Sequence, residues 1–246
     1  NFLLGKGYLL SGRINDAIGL LKRSIEIDPG TRDSHLLLSE AFISKGLISE
    51  AREALGRGMP FVEDRVPLIL KSIEITKIDR DFKKAYQFAN QLKLEQETLS
   101  IGNILQGEIN IVEGRFADAI DAFLRAQKAG ASDDQVLYRL AEAYSKSGDK
   151  DHAIEIASSH LAAHENDVNM RHFIALFQFE NGNTEEAIFH YEYLLDRNQN
   201  DIVANNNLAL IYLQQEDLEK AYQYAFNAYN LPGFNVDVAK TYAQVL

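Results

Sequence analysis

Residues 136–161 read VLYRLAEAYSKSGDKDHAIEIASSHL. On either side of Gly148 the apolar residues fall at the i, i+3, i+4, i+7 spacing of a helix with one buried face, so two short helices joined by a tight turn are expected. Gly148 stands at the end of the first, where a left-handed backbone turn is easiest without a Cβ. The small residues Ala141 and Ala153 mark where the two helices cross. The same set recurs along the whole chain: Ala17, Ala51, Ala85, Ala119, Ala153, Ala187 and Ala221 are each 34 residues apart, with no insertion or deletion. A period of this length signals a repeat architecture in which each unit is one supersecondary element.

Other places keep the same phase. Five residues before the alanine stand Gly12, Gly46, Gly114, Gly148 and Gly182, interrupted by Arg80 and Glu216. Nine before it are the aromatics Tyr8, Phe42, Tyr144 and Tyr212, expected in the core. Twelve before it are Gly5, Ser39, Gly107, Ala141, Ala175 and Ala209, all small, with Ile73 the exception. Four after it come Leu21, Leu55, Phe123 and Tyr191, or a further Ala at 89, 157 and 225. The segment 66–99 departs most, keeping only Ala85 and the spacing, while Pro67 suits a first helical turn because its missing N–H costs nothing there.

This pattern resembles the tetratricopeptide repeat, a 34-residue helix-turn-helix unit that stacks into a right-handed α-solenoid. The resemblance covers the chain, although the family's frequent Trp is absent (Trp 0). It implies an all-α fold made of a partial unit 1–31, units 32–65, 66–99, 100–133, 134–167, 168–201 and 202–235, and a partial unit 236–246. One solenoid is expected over 1–246, cut from a longer protein. Its apolar ends, NFLLGKGYLL and VAKTYAQVL, would favour self-association.

Composition narrows the chemistry. At 46% hydrophobic and 25% charged residues the chain can bury a core and is not disordered. Its 25 Lys+Arg against 36 Asp+Glu give a net charge of -11, which would repel a phosphate backbone, so nucleic acid is not an expected partner. Cys 0 removes disulfides, thiolate metal sites and cysteine nucleophiles together. No apolar run approaches the roughly 18 residues a membrane span needs. His160 and His164 have an i,i+4 spacing that could chelate, but no HExxH occurs, and hydrogen bonding between helices is the expected role of His160. ENGNTEEA, residues 180–187, lacks a phosphate loop's GxxxxGK[ST] and reads as a helix turn with Thr184 as cap. No catalytic set, metal or cofactor is expected.

The resemblance places function on the concave surface lined by the first helix of each unit. Eleven residues before the alanines one such row reads Lys6, Glu40, Glu74, Glu108, Glu142, Leu176 and Leu210. Four residues earlier it reads Phe2, Leu36, Leu70, Ile104, Tyr138, His172 and Asn206, with Phe179 another aromatic available to the groove. An acidic row beside an apolar row would suit a peptide or protein segment bearing Lys/Arg and apolar anchors. The same glutamates could instead be solvated and paired locally: Glu74 has Lys71 and Lys77 within a turn, and Glu142 has Arg139 and Lys146. The carboxylate clamp of chaperone-associated family members would need Asn where this row has Glu, so that activity is not supported.

Residues 206–233, NNLALIYLQQEDLEKAYQYAFNAYNLPG, also resemble the repeat-rich lipoproteins of bacterial exopolysaccharide and exosortase protein-sorting systems. That similarity implies a non-catalytic scaffold at the periplasm or outer-membrane periphery of a Gram-negative envelope, with the cytoplasm left open. Two other readings stay open: a polysaccharide-binding solenoid, and the regulatory arm of an enzyme whose catalytic domain lies outside this segment.

Overall fold

The helices follow the repeat register. In a computed structural model that describes all 246 residues save the side chains of 133–135, the described residues form fifteen α-helices and no strand. They divide into two units, Asn1–Ala131 and Ser132–Leu246. The first holds α1 (Phe2–Leu10), α2 (Ile14–Ile27), α3 (Arg32–Ser44), α4 (Ile48–Gly58), α5 (Val66–Ile78), α6 (Phe82–Leu92), α7 (Leu99–Glu113) and α8 (Phe116–Lys128). The second holds α9 (Asp133–Ser147), α10 (Lys150–Ala163), α11 (Val168–Glu180), α12 (Thr184–Arg197), α13 (Ile202–Gln214), α14 (Leu218–Asn230) and α15 (Val236–Val245). Odd-numbered helices are the first and even-numbered the second of each pair, and within each unit every helix packs on its chain neighbours.

One turn is repeated seven times. The residue five before each alanine is left-handed: five glycines with φ of 73° to 89°, Arg80 at 56° and Glu216 at 62°. The following N–H reaches back to the carbonyl five residues earlier, Arg13 to Tyr8, Leu47 to Phe42, Asp81 to Thr76, Arg115 to Asn110, Asp149 to Tyr144, Asn183 to Gln178 and Asp217 to Tyr212, all at 2.8–3.0 Å. This is the Schellman closure, which satisfies carbonyls that a helix end leaves open. The divergent segment 66–99 therefore keeps the repeat's backbone where its side chains have drifted. A left-handed residue with a Cβ costs about 1–2 kcal/mol, of which Gly returns part through its freer unfolded chain. Glu216→Gly is therefore expected to raise stability by about 0.5–1 kcal/mol, read as a higher denaturation midpoint with an unchanged denaturant slope.

All seven phase alanines are fully buried. The place twelve before and the place four after them share one space, filled by complementary volumes. Gly107 sits beneath the Phe123 ring, so close that a Cβ would come within 2.3 Å of it, and Gly5 faces Leu21 at 3.0 Å from the same hypothetical atom. Ile73, the exception to the small-residue rule, shares a core cluster with Ala89 at the facing place. In the second unit Ala141 shares a cluster with Ala157 and Ala175 with Tyr191, while Ala209 and Ala225 are both buried.

Asp supplies many of the caps. Asp81, Asp149 and Asp217 accept the N–H of Lys84, His152 and Lys220 at the starts of second helices, and Asp167 and Asp201 accept those of Met170 and Ala204 on first helices. Carboxylates here meet unsatisfied N–H groups and the positive end of the helix dipole. Part of the acidic excess is thus spent on helix starts. Thr184 is not a cap: it is the first residue of α12, and Asn183 holds the cap position with its amide turned to Gln178 Oε1 at 2.8 Å. Of the four phase aromatics Phe42 and Tyr212 are buried, whereas Tyr8 and Tyr144 are half-buried, lying against Arg13 and His152 respectively.

Candidate functional site

The acidic row lies on the first helices, and its charges are largely met from within the chain. In the first unit Lys71 on α5 stands 3.0 Å from Glu74 one turn on and 3.8 Å from Glu40 on α3. Lys77 at the end of α5 reaches Glu108 on α7 at 3.3 Å. Each of the cross-helix pairs joins residues 31 apart, so a Lys three before or three after the glutamate place meets the Glu of an adjacent repeat. In the second unit Glu142 pairs with Lys146 at 3.7 Å. Half-exposed pairs of this kind are worth about 0–1 kcal/mol each.

The apolar residues of the two rows are unevenly exposed. Leu70 is 37% exposed, Tyr138 39% and Leu176 43%, whereas Leu36 and Leu210 are half-buried and Ile104 is only 9% exposed. Ile104 is thus mostly core, because α7 closes tightly over its partner through Gly107. Tyr138 meets Phe173 edge-on at 5.9 Å. Phe179 is half-buried against the cluster around Ala175 and Ala187.

At the end of the second unit the row becomes a hydrogen-bonded network. His172 Nε2 lies 2.9 Å from Asp201 Oδ2, the carboxylate that caps α13, and the His172 ring tilts against Tyr191. Asn207 donates its amide to the Tyr191 hydroxyl at 2.9 Å, beside the half-buried Asn206. One repeat earlier, His160 Nε2 stands 2.8 Å from Asp167 Oδ2, which caps α11, and stacks on His164. His160 therefore ties α10 to α11. Among the described residues no group of three or more His, Cys, Asp or Glu is placed to hold a metal ion, and no helix is long and apolar enough to cross a membrane.

Both capping aspartates titrate low. Burial pushes Asp167 upward, but the Met170 N–H and His160 outweigh it; for Asp201, burial is likewise outweighed by His172 and the Ala204 N–H. A depressed carboxylate contributes stability that is complete above its unfolded value of about 3.9 and is lost as pH falls through the folded value. Denaturation midpoints are therefore expected to drop below about pH 4, and to drop less in Asp201→Asn than in the parent chain.

Sequence reasoning missed one recurring device. Sixteen residues before the phase alanine, in the first turn of the first helix, His35, Arg171 and Asn205 are buried and reach the carbonyl six residues back. His35 Nε2 is 2.9 Å from Pro29 O, Arg171 Nη2 donates to Glu165 O at 2.5 Å, and Asn205 Nδ2 to Gln199 O at 3.0 Å. These side chains pin the loop between one pair and the next. A polar residue recurring at a buried phase was the available signal. Also unforeseen is a ring cluster on α14, α15 and the loop between them, in which Tyr242 stacks on Tyr229 at 4.7 Å and Tyr229 meets Phe234 at 4.6 Å.

Known proteins agree with this architecture. The tetratricopeptide repeat family matches residues 8–69 in one form and 106–168 and 174–233 in a second, which alone spans half the chain. No curated protein matches the chain. Among solved structures, a tetratricopeptide repeat protein from Parabacteroides merdae superposes with a TM-score of 0.71 at 15% identity, covering 99% of this chain and 96% of that one. The C-terminal part of a repeat protein from Cytophaga hutchinsonii gives 0.59 at 16%, covering 98% and 99%. The Cut9–Hcn1 hetero-tetramer of APC/C gives 0.64 at 14%, covering 96% of this chain and 47% of that one. At such identities the likeness is one of fold. The seven left-handed turns, the seven buried alanines and the family matches agree: this chain is an all-α solenoid that belongs to the tetratricopeptide repeat family, a protein-protein interaction scaffold.

Proposed function

We propose that the first helices of each unit bind a peptide or protein segment, whose apolar side chains meet Leu70 in the first unit, or Tyr138 and Leu176 in the second. The observation that carries this reading is the exposure of Leu70 and Tyr138 at one phase of the first helices, and of Leu176 at the phase one turn on. Basic anchors on the partner would compete with Lys71, Lys77 and Lys146 for the glutamates. Because those internal pairs are weak, the competition costs little and adjusts association rate and salt dependence more than affinity. The Cut9–Hcn1 structure supports the reading by example, as a repeat fold found together with another protein. The resemblance of residues 206–233 to envelope repeat lipoproteins supports a place in exopolysaccharide or protein-sorting assembly.

Affinity capture tests the reading with the parent chain, with Leu70→Glu and with Leu176→Glu. The expected result is that a partner held by the parent is lost from both variants, while Glu74→Lys with Glu108→Lys changes only the salt dependence. Retention of every partner by the Leu variants would sink the proposal. Envelope assembly requires the captured partner, and this chain, to fractionate with the cell envelope.

A further inference from the structure

Two of the second helices stop a turn early. α4 and α6 each have 11 residues, against 13 or 14 in α2, α8, α10, α12 and α14. The period remains 34, so the missing turn passes into the following loops, 59–65 and 93–98. Both loops are held by hydrogen bonds. Phe61 and Val62 donate their N–H groups to Gly58 O at 3.0 Å, with Val62 buried, and Thr98 Oγ1 donates to Leu92 O at 2.5 Å across a short 3-10 turn.

Between these loops the first unit opens a cleft of about 840 Å³. Its floor is apolar, made by Met59, Val66, Ile69, Phe88 and Leu92, and its edge carries Leu94, 84% exposed. Its rim is acidic: Glu63, Asp64, Glu95 and Glu97, with Arg65 the one cation among the lining residues. Asp64 is taken by Arg32 at 2.7 Å. Glu63, Glu95 and Glu97 form no ion pair among the described residues, unlike Glu40, Glu74 and Glu108 on the first helices. Three carboxylates without an ion pair therefore stand beside an apolar floor, away from the glutamate row.

We propose that this cleft is a docking site for a cationic segment of a partner protein, which seats an apolar side chain between the 59–65 and 93–98 loops and sets Lys or Arg against Glu63, Glu95 and Glu97. Charge complementarity selects the occupant, since an acidic or neutral apolar segment would leave three carboxylates unmet. The inference rests on the scaffold reading and assigns the basic anchor of the partner to this edge.

The probe is a synthetic Leu/Lys peptide carrying a photo-crosslinker, titrated against the whole chain at low salt. Crosslinks are expected on residues 59–66 and 91–98. Affinity is expected to fall about tenfold in Glu63→Gln/Glu95→Gln/Glu97→Gln and to stay within about twofold in Glu74→Gln/Glu108→Gln. A Ser/Lys peptide of the same charge should bind more weakly, because it lacks the apolar anchor. Equal binding of the Ser/Lys peptide, or no saturable binding of the Leu/Lys peptide, overturns the cleft as a site. Crosslinking to the first helices with loss of affinity in Glu74→Gln/Glu108→Gln also overturns it, and leaves the first-helix reading standing. All the Gln substitutions are at exposed or half-exposed carboxylates, and circular dichroism of each variant checks that it has folded.

Discussion

Gly107→Ala is expected to destabilise the first unit by about 3 kcal/mol, the upper end of what overpacking costs. The added methyl would lie 2.3, 2.6 and 2.6 Å from three atoms of the Phe123 ring, and Phe123 is fully buried, so the ring has nowhere to turn. Relief must come from separating α7 and α8 where they cross. The neighbouring repeats indicate the cure. Where the small place holds Ser39 rather than Gly, the facing residue is Leu55, and both are fully buried without a ring. Gly107→Ala with Phe123→Leu should therefore be more stable than Gly107→Ala alone, which is the reverse of what two independent core losses would give. Additive losses in a denaturation series of the two singles and the double would disprove the shared space.

Tyr191→Ala is expected to cost about 3–5 kcal/mol in the second unit, because it empties the largest fully buried side chain of that core. Tyr191→Phe separates the ring from its hydroxyl. The hydroxyl accepts the Asn207 amide at 2.9 Å, and burial pushes the phenol far above its ordinary range, so it stays a neutral hydrogen-bonding group. Removing it should cost about 1 kcal/mol, the ordinary net worth of one such bond. Hydrogen exchange would place the loss: α12 and α13 should open first, since Tyr191 packs with Ala204, Leu208 and Tyr212. Equal effects of Phe and Ala would mean the ring contributes little.

The two predictions rest on different kinds of information. Ala119, Gly114 and Gly107 could be placed from the period alone, because a close crossing admits only small residues and a left-handed turn favours Gly. The exceptions could not. Ile73 breaks the small-residue rule because Ala89 stands at the facing place, and Arg80 and Glu216 replace glycine although the backbone there keeps the left-handed turn. A single position cannot report a volume or a φ that a second position sets.

The candidate site was legible in a similar measure. Glu40, Glu74, Glu108 and Glu142 could be phased onto one face, and local pairing of Glu74 and Glu142 follows from helix spacing. That Lys71 and Lys77 also bridge to Glu40 and Glu108 depends on how neighbouring repeats are offset, which no intrahelix rule contains. Ile104 and Phe179 stand on first helices yet lie partly in the core, because burial depends on how closely the next helix approaches.

Taken by itself, the sequence determined the repeat, the helix pair and the family, since small residues recurring at helical spacing and a fixed period leave few other folds open. Tertiary structure decided where charge remains uncompensated. Ion pairing acts over a few ångströms between residues some 31 positions apart, and cleft formation depends on α4 and α6 ending a turn early, so both had to be read from the packed helices.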